Sequence, residues 1–467
     1  MIPFLPKQIA SKAILIYLVA LTVVSVFFYA HAMELTYIIM GVTWVVGFFT
    51  LSSNCSRQWK NLPTKQFVTN VALTAFGLRI AWVTFSYFFY LFHNGVPFEF
   101  EAGDSLGYWD DALWLSNESL SSIVDYLFVS RDSVSDSGYV FYLSLLCKLV
   151  GPNIFITRII KAAWSTATVL LLYNFARRNV GEETARLAVV LACFMPNLII
   201  YCGLQLKETE MLLLIVAFLE RTDYLIRSKN ITWWSILAPV LLLLVMFTFR
   251  TVLGIAGALA FATAMVFTST SVIGRGKRVM IIVWAIVALF AVTGGTIVNE
   301  VEGVWENRFE NQDSKRQEQT RRGNQWAKYA TGTVMAPMMF VLPFPTMVDV
   351  DEQYNQQILS GGNYVRNFLG AFVLLALFYS IFIKKNWRDL SFLGSFVIVY
   401  LGIVSASGFA NSERFLLPGL PGLLIMAAYG ITQVNAWNYR FVKIWYWIVP
   451  LMSIGWAFFK LGSRGLV

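Results

Sequence analysis

Apolar residues run through this chain in blocks long enough to cross a bilayer, separated by short polar turns, from near its first residue to near its last. A helix needs roughly 20 apolar residues to span the hydrocarbon core. Runs of that kind occur at 13–31, 35–52, 68–93, 154–176, 185–203, 209–224, 232–250, 252–270, 279–298, 366–384, 391–409, 415–434 and 443–462. The pattern predicts an all-α polytopic membrane protein of about 13 transmembrane helices. The first run continues the series and has no convincing small-residue cleavage site after it, so it reads as a retained helix and not a signal peptide.

Basic residues orient the series. With Lys7 and Lys12 placed in the cytoplasm, alternation puts Arg57/Lys60/Lys65, Arg177/Arg178, Arg227/Lys229, Arg275/Lys277/Arg278, Lys384/Lys385/Arg388 and Arg440/Lys443 on the same side, as the positive-inside rule requires. The C-terminus then lies outside. Two segments too polar to span, 94–153 and 299–365, also fall on the extracytoplasmic side, and both are expected to carry short helices. The chain thus divides into two N-terminal helices (1–66), a membrane module with the first outer loop (67–298), a second outer loop (299–365) and C-terminal helices (366–467).

Composition narrows the chemistry. The 467 residues are 57% hydrophobic and only 13% charged, about half the charge of a soluble domain. The net charge of +9 sits in short loops between apolar runs, so membrane lipids are the expected partner and nucleic acid is not. Cys55, Cys147, Cys193 and Cys202 have no metal-type spacing, and His31 and His93 are the only histidines. That count weighs against a histidine metal centre or a Ser-His-Asp triad and points to carboxylates, Lys, Arg and Tyr.

The first outer loop is acidic: residues 94–138 hold Glu99, Glu101, Asp104, Asp110, Asp111, Glu118, Asp125, Asp132 and Asp136 against Arg131 alone. It closes on an apolar stretch, 139–151, that reads as an interfacial helix. Within it, GDSLGYWDDALWL (103–115), if helical from Ser105, puts Asp104, Tyr108, Asp111 and Ala112 on one face. A carboxylate so placed can take a proton from a hydroxyl nucleophile; serving only as the N-cap of that helix is the competing reading. Asp104 with Asp110 or Asp111 also offers hard oxygen ligands suited to Mg²⁺ or Mn²⁺, though nothing in the spacing requires a metal.

Cations stand at the outer ends of later spans: Arg158, Lys207 in LQLKETE, Arg250 in FTFRT and Arg414 in NSERFLLPGLPG. Each calls for an anionic partner, a phosphate or one of Glu208, Glu210 and Glu413. Arg79 lies mid-span, where a charge must face protein; a pairing with Glu208 or Glu210 and a purely structural role are both open. Inverted repeats and discontinuous helices, the marks of a transporter, are not legible.

In order and spacing over roughly 68–434, GDSLGYWDDA (103–112), GYVFYLSLLCKLVGPNIFITRIIKAA (138–163), LLYNFARRNVGEETARLAVVLACFMPNLIIYCGLQLKET (171–209) and ERFLLPGLPGLLIMAAYG (413–430) resemble the GT-C glycosyltransferases. These membrane enzymes move sugars from polyprenyl-phosphate donors and include the lipid A aminoarabinose transferases and protein mannosyltransferases. The resemblance implies a GT-C-like fold, a bacterial inner membrane, and transfer on the extracytoplasmic face to a lipid or glycan acceptor. It implies Asp104 as general base and Tyr108 and Asp111 shaping the site. Arg414, Arg250, Lys207 and Arg158 would hold the donor phosphate, with Glu208 beside them. Two features depart from the family: the extra helices before residue 68, and Lys207 next to Glu208. The second resembles membrane proteins of exopolysaccharide clusters, and leaves a polymerase or ligase using Arg308–Arg322, or a flippase of lipid-linked sugars, as alternatives.

Overall fold

The computed structural model describes residues 3–129, 135–228, 232–268, 344–350, 353–385, 387–406, 412–435, 437–462 and 465–466. The expected span at 279–298 and the Arg308–Arg322 stretch lie outside the described residues. Among those described there is no strand, only an isolated antiparallel bridge from Ala32 to Val348.

The apolar runs are helices. They begin with α1 (Lys7–Phe27), α2 (Leu35–Trp59) and α3 (Thr64–Asn94). The outer loop folds into three short helices, α4 (Gly103–Ser116), α5 (Leu120–Val129) and α6 (Ser137–Val150). Then follow α7 (Ile154–Val180), α8 (Glu182–Phe194), α9 (Pro196–Ile200), α10 (Glu208–Arg227), α11 (Trp233–Phe249) and α12 (Thr251–Thr268). The last part of the chain forms α13 (Tyr354–Ile358), α14 (Ser360–Phe378), α15 (Trp387–Ala406), α16 (Glu413–Leu416), α17 (Leu420–Thr432) and α18 (Tyr439–Gly462).

Seven of the described helical segments are long and apolar enough to cross a membrane, and an eighth crossing follows if α8 and α9 count as one bent span. This is a polytopic membrane protein. The expected spans at 232–250, 252–270 and 391–409 are helical but short in their described parts, and α10 carries Glu208, Glu210, Glu220, Arg221, Asp223 and Arg227. Among the described residues the spans shown are thus seven or eight of the thirteen expected.

The α8–α9 pair corrects the expectation of uninterrupted spans. Proline has no N–H to continue a helix and its ring displaces an upstream carbonyl; at Pro196 the path turns by 54°. Arg79, fully buried, fills the break: its guanidinium donates to the carbonyls of Cys193 (3.2 Å) and Ala192 (3.5 Å), to Ala75 (3.1 Å) and to Ser165 Oγ (2.7 Å). Of the two readings of Arg79, the structural one is correct; it pairs with neither Glu208 nor Glu210.

At the centre α17 is buried along its whole length and packs against α14, α8 and α7. Close approach is set by glycine: a Cβ on Gly430 would meet the Phe372 carbonyl oxygen at 1.9 Å. Lipid tails are as apolar as a protein core, so side chains on the rim face outward freely. Leu15, Phe27, Leu73, Phe92, Trp447 and Leu451 do so.

Candidate active site

Five separate segments deliver charge to one end of the bundle. Asp104 stands in the first turn of α4, which starts at Gly103 with Ala102 as its cap residue and without a capping side chain. Asp104 is thus not the N-cap. Its carboxylate sits where the helix dipole favours negative charge. Lys207 precedes α10, whose first turn holds Glu208 and Glu210. Arg250 is the single residue between α11 and α12, held extended so that the two helices fold back on each other. Arg414 lies in α16, where the chain enters the buried α17.

Arg414 is the hub. Its Nη1 donates to Asp104 Oδ2 and its Nε to Glu208 Oε1. Arg250 approaches the same Glu208 oxygen at 3.8 Å and stacks over the Phe415 ring at 4.5 Å. Tyr400 fixes that residue by donating to the Phe415 carbonyl at 2.8 Å. Glu208 is fully buried, and its Oε2 accepts no hydrogen bond from the described residues.

Lys207 forms an ion pair with Asp136 and donates to the Phe249 carbonyl at 2.8 Å. Burial, reinforced by Arg250, holds its ammonium well below the usual lysine pKa. Tyr108 donates to the other Asp136 oxygen at 3.0 Å, and burial raises its phenol pKa, so it remains a donor. Three carboxylates, Asp104, Asp136 and Glu208, thus face three cations, Lys207, Arg250 and Arg414.

Two more buried pairs lie alongside. Arg158 is fully buried 3.8 Å from Glu99, which also accepts from Ser105 Oγ and from the Gln205 N–H at 3.3 Å. Lys161 is 3.4 Å from Glu210 and donates to the Leu206 carbonyl. Arg158 therefore does not join the cations around Asp104 as expected; with no exposed surface it can position neighbours but not meet a ligand from solvent. Next to Arg414 opens a cavity of 320 Å³ whose walls include Glu99, Asp104, Tyr201, Asn355, Glu413 and Arg414.

The sequence reading brought together Asp104, Tyr108, Lys207, Glu208, Arg250 and Arg414, and the fold does so too. Asp111 stands seven residues beyond Asp104 on α4, about 10 Å along the axis, and Asp110 is exposed. No cluster of three metal-ligating side chains forms among the described residues, so Asp104, Asp110 and Asp111 do not converge to hold Mg²⁺ or Mn²⁺. The sequence reading missed Asp136, Lys161 and Glu99 as site residues. Arg158 and Lys161, three apart in TRIIKAA, were the legible sign of a charged helix face.

No protein-family model matches this sequence, and no curated protein matches it either.

Proposed function

We propose that the protein is an inverting glycosyltransferase that moves a sugar from a polyprenyl-phosphate donor to a lipid or glycan acceptor on the extracytoplasmic face of a bacterial inner membrane. The observation that supports this best is the Asp104–Arg414–Glu208 bridge, with Arg250 beside it, at the mouth of a polar cavity. It combines a half-exposed carboxylate able to take a proton with two guanidiniums able to receive a phosphate. The acceptor oxygen attacks the anomeric carbon as the bond to the phosphate oxygen breaks. The hydroxyl proton passes to Asp104, and polyprenyl phosphate departs with the added charge stabilised by Arg414 and Arg250. A single displacement inverts the anomeric carbon.

The donor phosphate also regulates the base. Arg414 engages Asp104 directly, so an entering phosphate competes for the same guanidinium and frees the carboxylate when the donor is in place. Buried Glu208 keeps Arg414 oriented during the exchange. The polymerase reading rests on arginines outside the described residues. The flippase reading gains the broken α8–α9 span, but buried Arg79 fills that break with hydrogen bonds to its carbonyls.

The test uses the full chain in lipid nanodiscs with a panel of polyprenyl-phosphate sugars and crude lipid and glycan acceptors. Release of polyprenyl phosphate with an inverted product linkage is the expected result. Consumption or movement of lipid-linked oligosaccharide without such release would contradict it.

A further inference from the structure

Lys207 is expected from the sequence to hold the donor phosphate, but the fold leaves it 1% exposed. Its ammonium is engaged by two neighbours from different parts of the chain, the Asp136 carboxylate and the Phe249 carbonyl. Phe249 is the last residue of α11, and the final carbonyls of a helix have no partner within it. A cation there also meets the negative end of the helix dipole. Lys207 therefore caps α11 at the point where the chain turns through Arg250 into α12. The Arg250 N–H donates to the Met246 carbonyl at 3.0 Å, so the peptide group ahead of Arg250 is held at both its oxygen and its nitrogen.

The other arm of Lys207 leads to α4. Asp136 is a non-glycine residue at φ 75°, a conformation that persists where the surroundings hold it. It stands at the cap position of α6 but makes no capping hydrogen bond with its side chain; Lys207 takes one carboxylate oxygen and the Tyr108 hydroxyl the other. The Lys207 ammonium also lies 5.8 Å from the centre of the Tyr108 ring. Tyr108 is four residues beyond Asp104 on α4, about 6 Å along the axis. Close packing supports the link: a Cβ on Gly138 of α6 would run into the Thr248 hydroxyl and come within 2.9 Å of the Phe249 ring.

Resting on the glycosyltransferase reading above, we propose that Lys207 is a positioning residue: without touching the donor, it ties the helix that carries Asp104 to the turn that presents Arg250. It thereby fixes the distance between the proton acceptor and a phosphate-binding guanidinium. That distance matters because a displacement of 1 Å in a reacting group can cost about 10²-fold in rate. Chain order supports the assignment. Lys207 and Glu208 are consecutive; the first holds the backbone ahead of Arg250, and the second faces its guanidinium at 3.8 Å.

The experiment is a double-mutant cycle on the affinity of the full chain in nanodiscs for polyprenyl phosphate, with Lys207→Met, Arg250→Met and the pair. Each single change should weaken binding by about tenfold, the worth of a hydrogen bond to a charged group. If Lys207 acts through Arg250, adding Lys207→Met to Arg250→Met should cost less than about threefold more. Asp136→Asn tests the second arm, since Asn tolerates the same positive φ and removes the charge. It should keep donor binding within a few-fold while single-turnover release of polyprenyl phosphate falls by about tenfold or more. Additive losses in the cycle would mean that Lys207 meets the phosphate itself and overturn the inference. So would wild-type affinity in either single variant. If Lys207→Met does not fold, Asp136→Asn decides, and a wild-type release rate in that variant overturns the inference. A wild type that binds no polyprenyl phosphate overturns the glycosyltransferase reading, and this role of Lys207 with it.

Discussion

Arg414 carries two carboxylates on one guanidinium, and the planar fork of Arg is the side chain suited to that geometry. Lysine keeps the charge but not the two aligned donors. Arg414→Lys is expected to lower turnover by about 10²–10³-fold if oxyanion-type donors are the right guide, with a smaller loss of donor binding, checked by separate kcat and KM measurement. A different outcome belongs to Arg158. Its removal strands buried Glu99, so Arg158→Met should cost about 3–5 kcal/mol of stability; adding Glu99→Gln should recover much of it, as a double-mutant cycle in thermal unfolding would read. Asp104, Lys207, Glu208, Arg250 and Arg414 were legible in the sequence because charge at a span end is conspicuous against apolar runs. Asp136 was not, since it is one of nine acids in its loop and only the fold selects it.

At the scale of elements, the helices were legible as apolar runs, and their ends by the charges that flank them. The break at Pro196 was not read, because a proline in a long apolar run is compatible with a kinked but continuous span. What decides it is tertiary: Arg79 arrives from α3 to satisfy carbonyls the bend releases. Arg79→Leu therefore leaves those carbonyls bare in the core, and a loss of at least about 2 kcal/mol is expected, seen as a lowered unfolding temperature in detergent. The α14–α17 contact has an equally specific dependence. In Gly430→Ala the new methyl meets backbone at Phe372 and not a movable side chain, so about 1–3 kcal/mol of overpacking is expected. Gly455→Ala, where nothing lies within 4 Å, is the control.

For the whole molecule, the span ends assigned to one side of the membrane meet at one end of the bundle, where Asp104, Lys207, Arg250 and Arg414 gather. The opposite end is closed by separate contacts: Arg186 donates to the carbonyl of Leu62 at 2.7 Å, and Arg178 bridges Glu220 and Asp223 at 2.8 Å each. From the basic loops we propose that this opposite end faces the cytoplasm. Asp110→Cys should accordingly react with a membrane-impermeant thiol reagent added to the extracytoplasmic side, and Lys60→Cys only after permeabilisation. Both positions are exposed, and three of the four native cysteines are buried. Reversed labelling would put the site in the cytoplasm.

The central claim is that Asp104 takes the acceptor's proton, and single-turnover release of polyprenyl phosphate by wild type and Asp104→Asn tests it most directly. Donor binding is measured on the same preparations. The account predicts that Asn keeps donor binding within a few-fold while the release rate falls by about 10²–10⁴-fold, the usual worth of a general base. Equal release rates from a folded, donor-binding Asp104→Asn protein would contradict it, and would leave Asp104 as a counter-ion that only holds Arg414 in place.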